Sequence, residues 1–295
     1  METINEIKDL LIELGICDDD EIVPYFPRVR DRNDISVMRC AKSGVIFLSR
    51  SDHIDIEHYS KQEGLQYWEA DDRRSAMLSG LEDAQRRVEQ FKLIIANKKW
   101  VDIGTGAGGI LDLLSPISSE TVAVEPQSFA RKFLTEMGYN VHASINDLQE
   151  NYFEVVTLFH VLEHVTSPLA FLTTIKKKMT VGAKIIIEIP HARDFLISFL
   201  NLQAFKSFTF WSEHLILHTR ESITMLLEKA GFSNIIVKSF QRYPLANHLY
   251  WLKNNKPGGH IEWASLRTVK LDLEYANMLS EIDKTDTLII TAKNI

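Results

Sequence analysis

The stretch Trp100-Val101-Asp102-Ile103-Gly104-Thr105-Gly106-Ala107-Gly108-Gly109 constrains this chain more than any other. An apolar run carrying one carboxylate leads into a glycine-dense segment and then into Ile110-Leu111-Asp112-Leu113-Leu114. That pattern predicts a buried strand, a tight turn and the first turns of a helix. Glycines let the backbone pass close to a ligand, and free N–H groups at a helix start favour polar or anionic groups. Gly104, Gly106 and Gly109 fit the G-x-G-x-x-G dinucleotide fingerprint, and Glu125 lies where a ribose-binding acid should sit, about 20 residues on. Asp102 argues against a pyrophosphate, which would sit badly beside a fixed negative charge, whereas an ammonium would not.

From Trp100 onward apolar runs and helical patterns alternate, which predicts an α/β layer structure with a mostly parallel sheet. Strands are predicted at 100–103, 121–125, 140–144, 154–159, 184–189, 234–240 and 286–292, with helices at about 107–115, 127–137, 168–178 and 220–230. A long helix over 76–97 leads into the glycine motif, and an amphipathic helix is predicted over 1–16.

A carboxylate two residues before the first glycine, an acid at the next strand end and this order of elements resemble the class I S-adenosylmethionine-dependent methyltransferases. The resemblance covers roughly residues 80–240 and 285–293. It implies a Rossmann-like seven-stranded sheet with helices on both faces, its last strand antiparallel between the fifth and sixth. It divides the chain into an N-terminal cap or lid at 1–75, a cofactor-binding core at 76–240 and 285–295, and an acceptor-side insert at 241–284. In such a fold ligands bind beyond the carboxyl ends of the strands. The resemblance makes S-adenosylmethionine the cofactor, with Asp102, Gly104, Thr105, Gly106 and Gly108 on its methionine side and Glu125 on its ribose. Gln127 would line the same pocket, Asn146 and Asp147 would lie at the adenine, and His160 would stand at the next strand end.

The segment Val161-Leu162-Glu163-His164-Val165 before Pro168 resembles a subgroup that includes ubiquinone-pathway, sugar and small-RNA 2′-O-methyltransferases. His160-x-x-Glu163-His164 also matches an inverted zinc-protease motif, but that motif needs a long helix and here follows a predicted strand. Some members of the subgroup carry a divalent-metal site here, completed by a later histidine. Ser212-Glu213-His214-Leu215-Ile216-Leu217-His218-Thr219-Arg220-Glu221 is similar to that later stretch. The resemblance therefore implies His160, Glu163, His164 and His214 as a metal set, with His160 where those families have glutamate. Without a metal, His164 or His214 is the candidate general base, because imidazole titrates near neutral pH. The alternative for Glu163 and His164 is hydrogen-bonded support of the cofactor loop.

Towards the N-terminus, Val37–Cys40 and Val45–Leu48 read as a hairpin turned by Ala41-Lys42-Ser43-Gly44. This resembles the zinc ribbon that opens some methyltransferases, but Ser43 replaces the second cysteine and argues against zinc. Aromatics at Tyr59, Tyr67 and Trp68 suit a lid over the cofactor or a packed surface loop. The Phe- and Leu-rich run 195–211 reads as core packing first, with a lid or a dimer surface as alternatives. In the insert, Arg242, Tyr243 and His248 are candidates for the acceptor side, Tyr243 and His248 for catalysis, and 262–282 for packing. His191 and Arg193, after the fifth predicted strand, could also face the acceptor.

At 295 residues with 45% hydrophobic content the chain can bury a full core. A net charge of -7 gives no general attraction to nucleic acid. Two cysteines without metal-type spacing suit a reducing compartment. The first residues lack the pattern of a signal peptide, and no apolar run approaches the roughly 20 residues of a membrane span. The expectation is a cytoplasmic methyltransferase acting on a hydroxyl, or less readily a carbon, of a small polar acceptor such as a sugar, nucleotide-sugar or saccharide precursor. Rival readings are an RNA 3′-end 2′-O-methyltransferase, a cofactor-binding subunit without turnover and, furthest, a dehydrogenase. A homodimer is left open.

Overall fold

A computed structural model of the chain describes residues 5–54 and 73–295. The strands in chain order are β1 (Ile22–Phe26), β2 (Val37–Cys40), β3 (Ile46–Leu48), β4 (Lys99–Ile103), β5 (Glu120–Val124), β6 (Asn140–His142), β7 (Phe153–Phe159), β8 (Met179–Pro190), β9 (Ile216–Leu217), β10 (Phe232–Phe240) and β11 (Thr287–Asn294).

Seven of these form one sheet in the order β10-β11-β8-β7-β4-β5-β6. The strand carrying the glycine motif is interior: β4 pairs in parallel with β5 through Val101↔Val122 and with β7 through Val101↔Val156. Such a strand is covered on both faces, which is why Trp100 and Val101 are both fully buried. β11 runs antiparallel to β8 on one side and to β10 on the other, as the predicted ending required.

Each face of the sheet has its own helices. Val101, Val156 and Ile187 pack with Leu172 of helix Pro168–Lys178 and Leu226 of helix Arg220–Lys229. Trp100, Val155 and Ile186 pack on the other face against Phe91 of helix Leu81–Ile95 and Leu111 of helix Gly109–Leu114. Each fully buried aliphatic or aromatic side chain of this kind contributes about 1.5–3 kcal/mol. Trp100 also buries a polar N–H, which donates to the Thr157 hydroxyl at 2.9 Å on the neighbouring strand.

The helix predicted over 76–97 is two helices, Arg73–Ser79 and Leu81–Ile95, interrupted at Gly80. The predicted hairpin is present but belongs to a second, four-stranded sheet in the order β1-β2-β3-β9. β9 carries too few residues for its alternation to be read from sequence, and β1 contains Pro24, which does not mark a strand. This sheet shares a separate core with helix Glu6–Glu13 and Phe210, so part of the aromatic run 195–211 is core as expected. The predicted lid aromatics Tyr59, Tyr67 and Trp68 lie outside the described residues. Between β10 and β11 the chain forms helices Leu245–Asn254, Gly259–Glu262 and Val269–Glu281.

Gly108 closes the glycine turn at φ +80°, and a Cβ there would stand 2.5 Å from Leu134 Cδ2. Gly108→Ala is expected to lower the unfolding free energy by about 1–3 kcal/mol through strain and overpacking, read by urea denaturation.

Candidate active site

The turns after β4, β5, β6 and β7 open at one edge of the large sheet and line a cleft of about 420 Å³. Gly104 and Gly106 come from the first turn, Glu125 and Gln127 from the second, Ser144 and Asn146 from the third, His160 and His164 from the fourth. Ile54 of the N-terminal region and Phe171 of helix Pro168–Lys178 complete opposite parts of the wall.

Glu125 is 4% exposed and accepts the backbone N–H groups of Gly106 at 2.7 Å and Gln127 at 2.8 Å. Burial raises its pKa, and those two N–H groups work against the rise. Each carboxylate oxygen has a further lone pair, so the group ties the glycine turn to the β5 turn and can still accept from a ligand hydroxyl.

Asp102, Thr105 and Gly108 are set back from the cleft wall as described. Asp102 accepts from the Thr157 hydroxyl at 2.6 Å, extending the chain that begins at the Trp100 indole. Burial pushes its carboxyl up to about 6, with the Thr157 hydrogen bond holding the charged form. Asn146 lines the cleft, whereas Asp147 is turned to a local task. Its Oδ2 accepts the Ser144 N–H at 3.1 Å in a capping box around the Ile145–Asp147 turn.

Beyond β7 the chain enters a short 3-10 turn, Leu162–His164, and the later stretch returns to it through the Leu215 N–H, which donates to the Glu163 carbonyl at 2.8 Å. This contact brings three of the four residues of the expected metal set together. Ligand atoms of Glu163, His164 and His214 all lie within 4.8 Å of one another. The His164 and His214 rings stand edge to face at 5.0 Å. Glu163 has no exposed surface, and its Oε2 is buried without a hydrogen-bond partner. Burial and the neighbouring His164 push His214 down to about 3, and burial lowers His164 despite Glu163 nearby. Burial would raise Glu163, but His160, His164 and His214 outweigh it and hold the carboxyl at about 2.

His160, the fourth member of that set, is diverted. Its Nδ1 faces Glu163 Oε1 at 3.0 Å, and its Nε2 faces Glu188 Oε1 at 3.2 Å and Arg242 Nη1 at 3.1 Å. Both ring nitrogens are committed, so it supports the triad and does not join it. Burial and the Arg242 guanidinium oppose its protonation, yet the Glu163 and Glu188 carboxylates outweigh them and raise its pKa.

The acceptor-side expectations fare unevenly. His248 is 3% exposed, its Nδ1 lies 2.6 Å from the Tyr275 hydroxyl, and its ring stacks on Phe195 at 6.0 Å. Burial pushes it down to about 4. It packs the insert against Tyr275 and Phe195 and is not part of the described cleft wall. Tyr243 is exposed at the surface, edge-on to His260 at 5.5 Å, and is not part of the described cleft wall. His191 is fully buried with Nδ1 on the Thr285 carbonyl at 3.0 Å, and Arg193 is paired with Asp283 at 2.7 Å; neither lines the described cleft. The residues that sequence reading missed are Asp83, Arg86, Arg87 and Glu188, which surround His160 and Arg242. Glu188 carried a signal, because a carboxylate between Ile187 and Ile189 in an otherwise apolar strand requires a buried partner.

A parallel sheet with an antiparallel last strand, a glycine turn and two buried acids beside a cleft define an S-adenosylmethionine-dependent methyltransferase fold. The methyltransferase-domain family model matches residues 67–237, more than half of the chain, and the chain belongs to that family. Its structure is similar to an S-adenosylmethionine-dependent methyltransferase from Archaeoglobus fulgidus, at 20% identity and a TM-score of 0.51, covering 72% of this chain and 93% of that one. It is also similar to a chain from the complex between the Haloferax volcanii Trm112 methyltransferase activator and a protein described as a methyltransferase. There the identity is 13% and the TM-score 0.52, with 80% and 99% covered. No curated protein matches the sequence. The chain is thus a methyltransferase that uses S-adenosylmethionine, and none of its described helices is long and apolar enough to cross a membrane.

Were the cofactor's ammonium to sit against Asp102, as the resemblance implies, it would gain from that carboxylate only when the latter is ionised. With the carboxyl near 6, S-adenosylmethionine affinity should fall as pH drops through that value, by roughly tenfold between pH 7.5 and pH 5. Calorimetric titration across this range should show the slope in the wild type and a flat, weaker profile in Asp102→Asn.

Proposed function

We propose that this methyltransferase transfers the sulfonium methyl to a hydroxyl oxygen of a small polar acceptor, activated at Glu163, His164 and His214. The observation that carries this reading is the convergence of those three groups, ligand atoms within 4.8 Å, with His164 also on the cleft wall. Burial lowers the basicity of both imidazoles, His214 to about 3, which disfavours them as acceptors for a hydroxyl proton. The same neutral imidazoles, with a charged carboxylate whose Oε2 lacks a partner, are the donor set of a divalent-cation site. An N₂O set of this kind favours Zn²⁺, Mn²⁺ or Fe²⁺ over Mg²⁺, and such a cation would acidify an acceptor hydroxyl bound to it.

The chain's own residues do the rest. Glu125 and the glycine turn hold the donor's ribose side, and Asp102 holds its ammonium. His160 fixes Glu163 through Oε1 and leaves Oε2 without a hydrogen-bond partner. In-line displacement then depends on bringing acceptor oxygen and methyl carbon together, so positioning supplies much of the rate. Tyr243, exposed and flanked by His260, offers a ring for a sugar face at the insert. A sugar, nucleotide-sugar or saccharide precursor is therefore the first acceptor class to test. Free, buried Cys17 and Cys40 suit a cytoplasmic enzyme.

A second reading, an RNA 3′-end 2′-O-methyltransferase, draws on the resemblance of the stretch from His214 to Glu221. The net charge of -7 favours the small acceptor. A panel of nucleotide-sugars, free sugars and short RNAs, with labelled S-adenosylmethionine and metal content measured on the same sample, separates the readings. Methyl transfer to a sugar hydroxyl, reduced at least 100-fold in His164→Ala and His214→Ala with cofactor affinity kept within threefold, is the expected result. Transfer that survives both substitutions removes the triad from the reaction, and transfer confined to RNA ends removes the small acceptor.

A further inference from the structure

The insert is clipped to the sheet at both of its ends by one residue. Asp286, just before β11, accepts the backbone N–H groups of Arg242 at 3.0 Å and Tyr243 at 3.1 Å and the Gln241 side chain at 2.7 Å. Gln241 in turn accepts the Asp286 N–H at 3.1 Å. This clip fixes the backbone at Arg242 and sends its side chain away from the insert, back over the carboxyl ends of the strands.

There the guanidinium spans two elements. Its Nη2 and Nε pair with Asp83 on helix Leu81–Ile95, and its Nη1 meets His160 Nε2 at 3.1 Å. Asp83 is itself held by Arg86 at 2.8 Å. Arg86 and Arg87 continue to the buried Glu188 at 2.9 and 2.6 Å, and Glu188 Oε1 lies 3.2 Å from the same His160 Nε2. The network therefore closes on one imidazole, and that imidazole lines the cofactor cleft.

His160 needs such a clamp. Its φ is +57°, a left-handed conformation that a bulky non-glycine residue keeps only when its surroundings over-determine it. The Glu188 carbonyl takes its N–H at 2.8 Å, Glu163 takes Nδ1, and Arg242 with Glu188 brackets Nε2. The guanidinium pairs with Asp83 through Nη2 and Nε while its Nη1 packs against the ring beside Glu188, and a lysine's single ammonium would not span both contacts.

We propose that Arg242 is a positioning residue for methyl transfer: through His160 it sets the shape of the donor cleft, so that docking of the insert entrance and cofactor binding are coupled. This goes beyond the acceptor reading above and holds whichever acceptor is used. Were Arg242 only an ion-pair staple between the insert and helix Leu81–Ile95, its loss would lower stability without acting through His160.

The test is a double-mutant cycle on S-adenosylhomocysteine affinity, with full-length wild type, Arg242→Met, His160→Asn and the pair titrated calorimetrically and their urea midpoints recorded. Asparagine is chosen at 160 because it tolerates left-handed backbone. Each single variant is expected to bind about tenfold more weakly, and the pair no more than about twofold more weakly than the worse single, since coupled residues are non-additive. Arg242→Lys, which keeps a charge, replaces Arg242→Met where that variant does not fold and should still bind at least threefold more weakly than wild type. Affinity within twofold of wild type in the Arg242 variant, or losses that multiply in the pair, overturns the proposal.

Discussion

A carboxylate with no exposed surface lies near the carboxyl end of β8, and two guanidiniums and an imidazole converge on it. Removing Glu188 from water costs several kcal/mol, and only good geometry on every side offsets that cost. The two bonds from Arg86 at 2.9 Å, the Arg87 bond at 2.6 Å and the His160 contact supply it, and together they hold the carboxyl well below its usual range against the pull of burial. Helix Leu81–Ile95, β8 and the turn after β7 are locked in one arrangement as a result. An unpaired charge here would be more costly than any single apolar contact nearby, so the cleft's geometry depends on this junction.

Two functions are separated along the sheet's edge. On the donor side, Trp100, Thr157 and Asp102 form a buried hydrogen-bond chain, and Glu125 ties two turns together through backbone N–H groups. These are strand-end groups whose positions follow from the register of β4, β5 and β7. The Glu163, His164 and His214 cluster is assembled differently, from a turn and a stretch about fifty residues later joined by one backbone hydrogen bond. His160 stands at the boundary, committed to Glu163 on one nitrogen and to the Glu188 network on the other.

How much of this was legible in the sequence follows from how local each feature is. Parallel strands buried on both faces read as nearly continuous apolar runs, so 100–103, 154–159 and 184–189 could be drawn from pattern despite Asp102 and Glu188. Asp102 and Glu125 stood out because a strand end and a glycine turn fix their place. Asp83, Arg86 and Arg87 did not, because charges at helical spacing look like a solvated face until a buried acid from another element meets them. His248 was harder to place for the converse reason: aromatic and polar types in an insert carry no record of which side is buried. Gly80 broke a helix whose apolar spacing ran straight through it, and β9 was too short to show any period.

β9 is only two residues long, yet it completes the small N-terminal sheet by pairing Ile46 with Leu217 and Phe47 with Ile216. On the ribosome the first three strands of that sheet emerge long before their fourth. At about 5–20 residues per second, the interval between β3 and β9 is on the order of 10–30 s. Through that interval β3 has an open edge and the core beneath it is incomplete, while the first strands of the large sheet are already being made. The hairpin's apolar residues, Val37, Ile46 and Phe47 among them, thus stay open to chaperones until residues 216–217 are made.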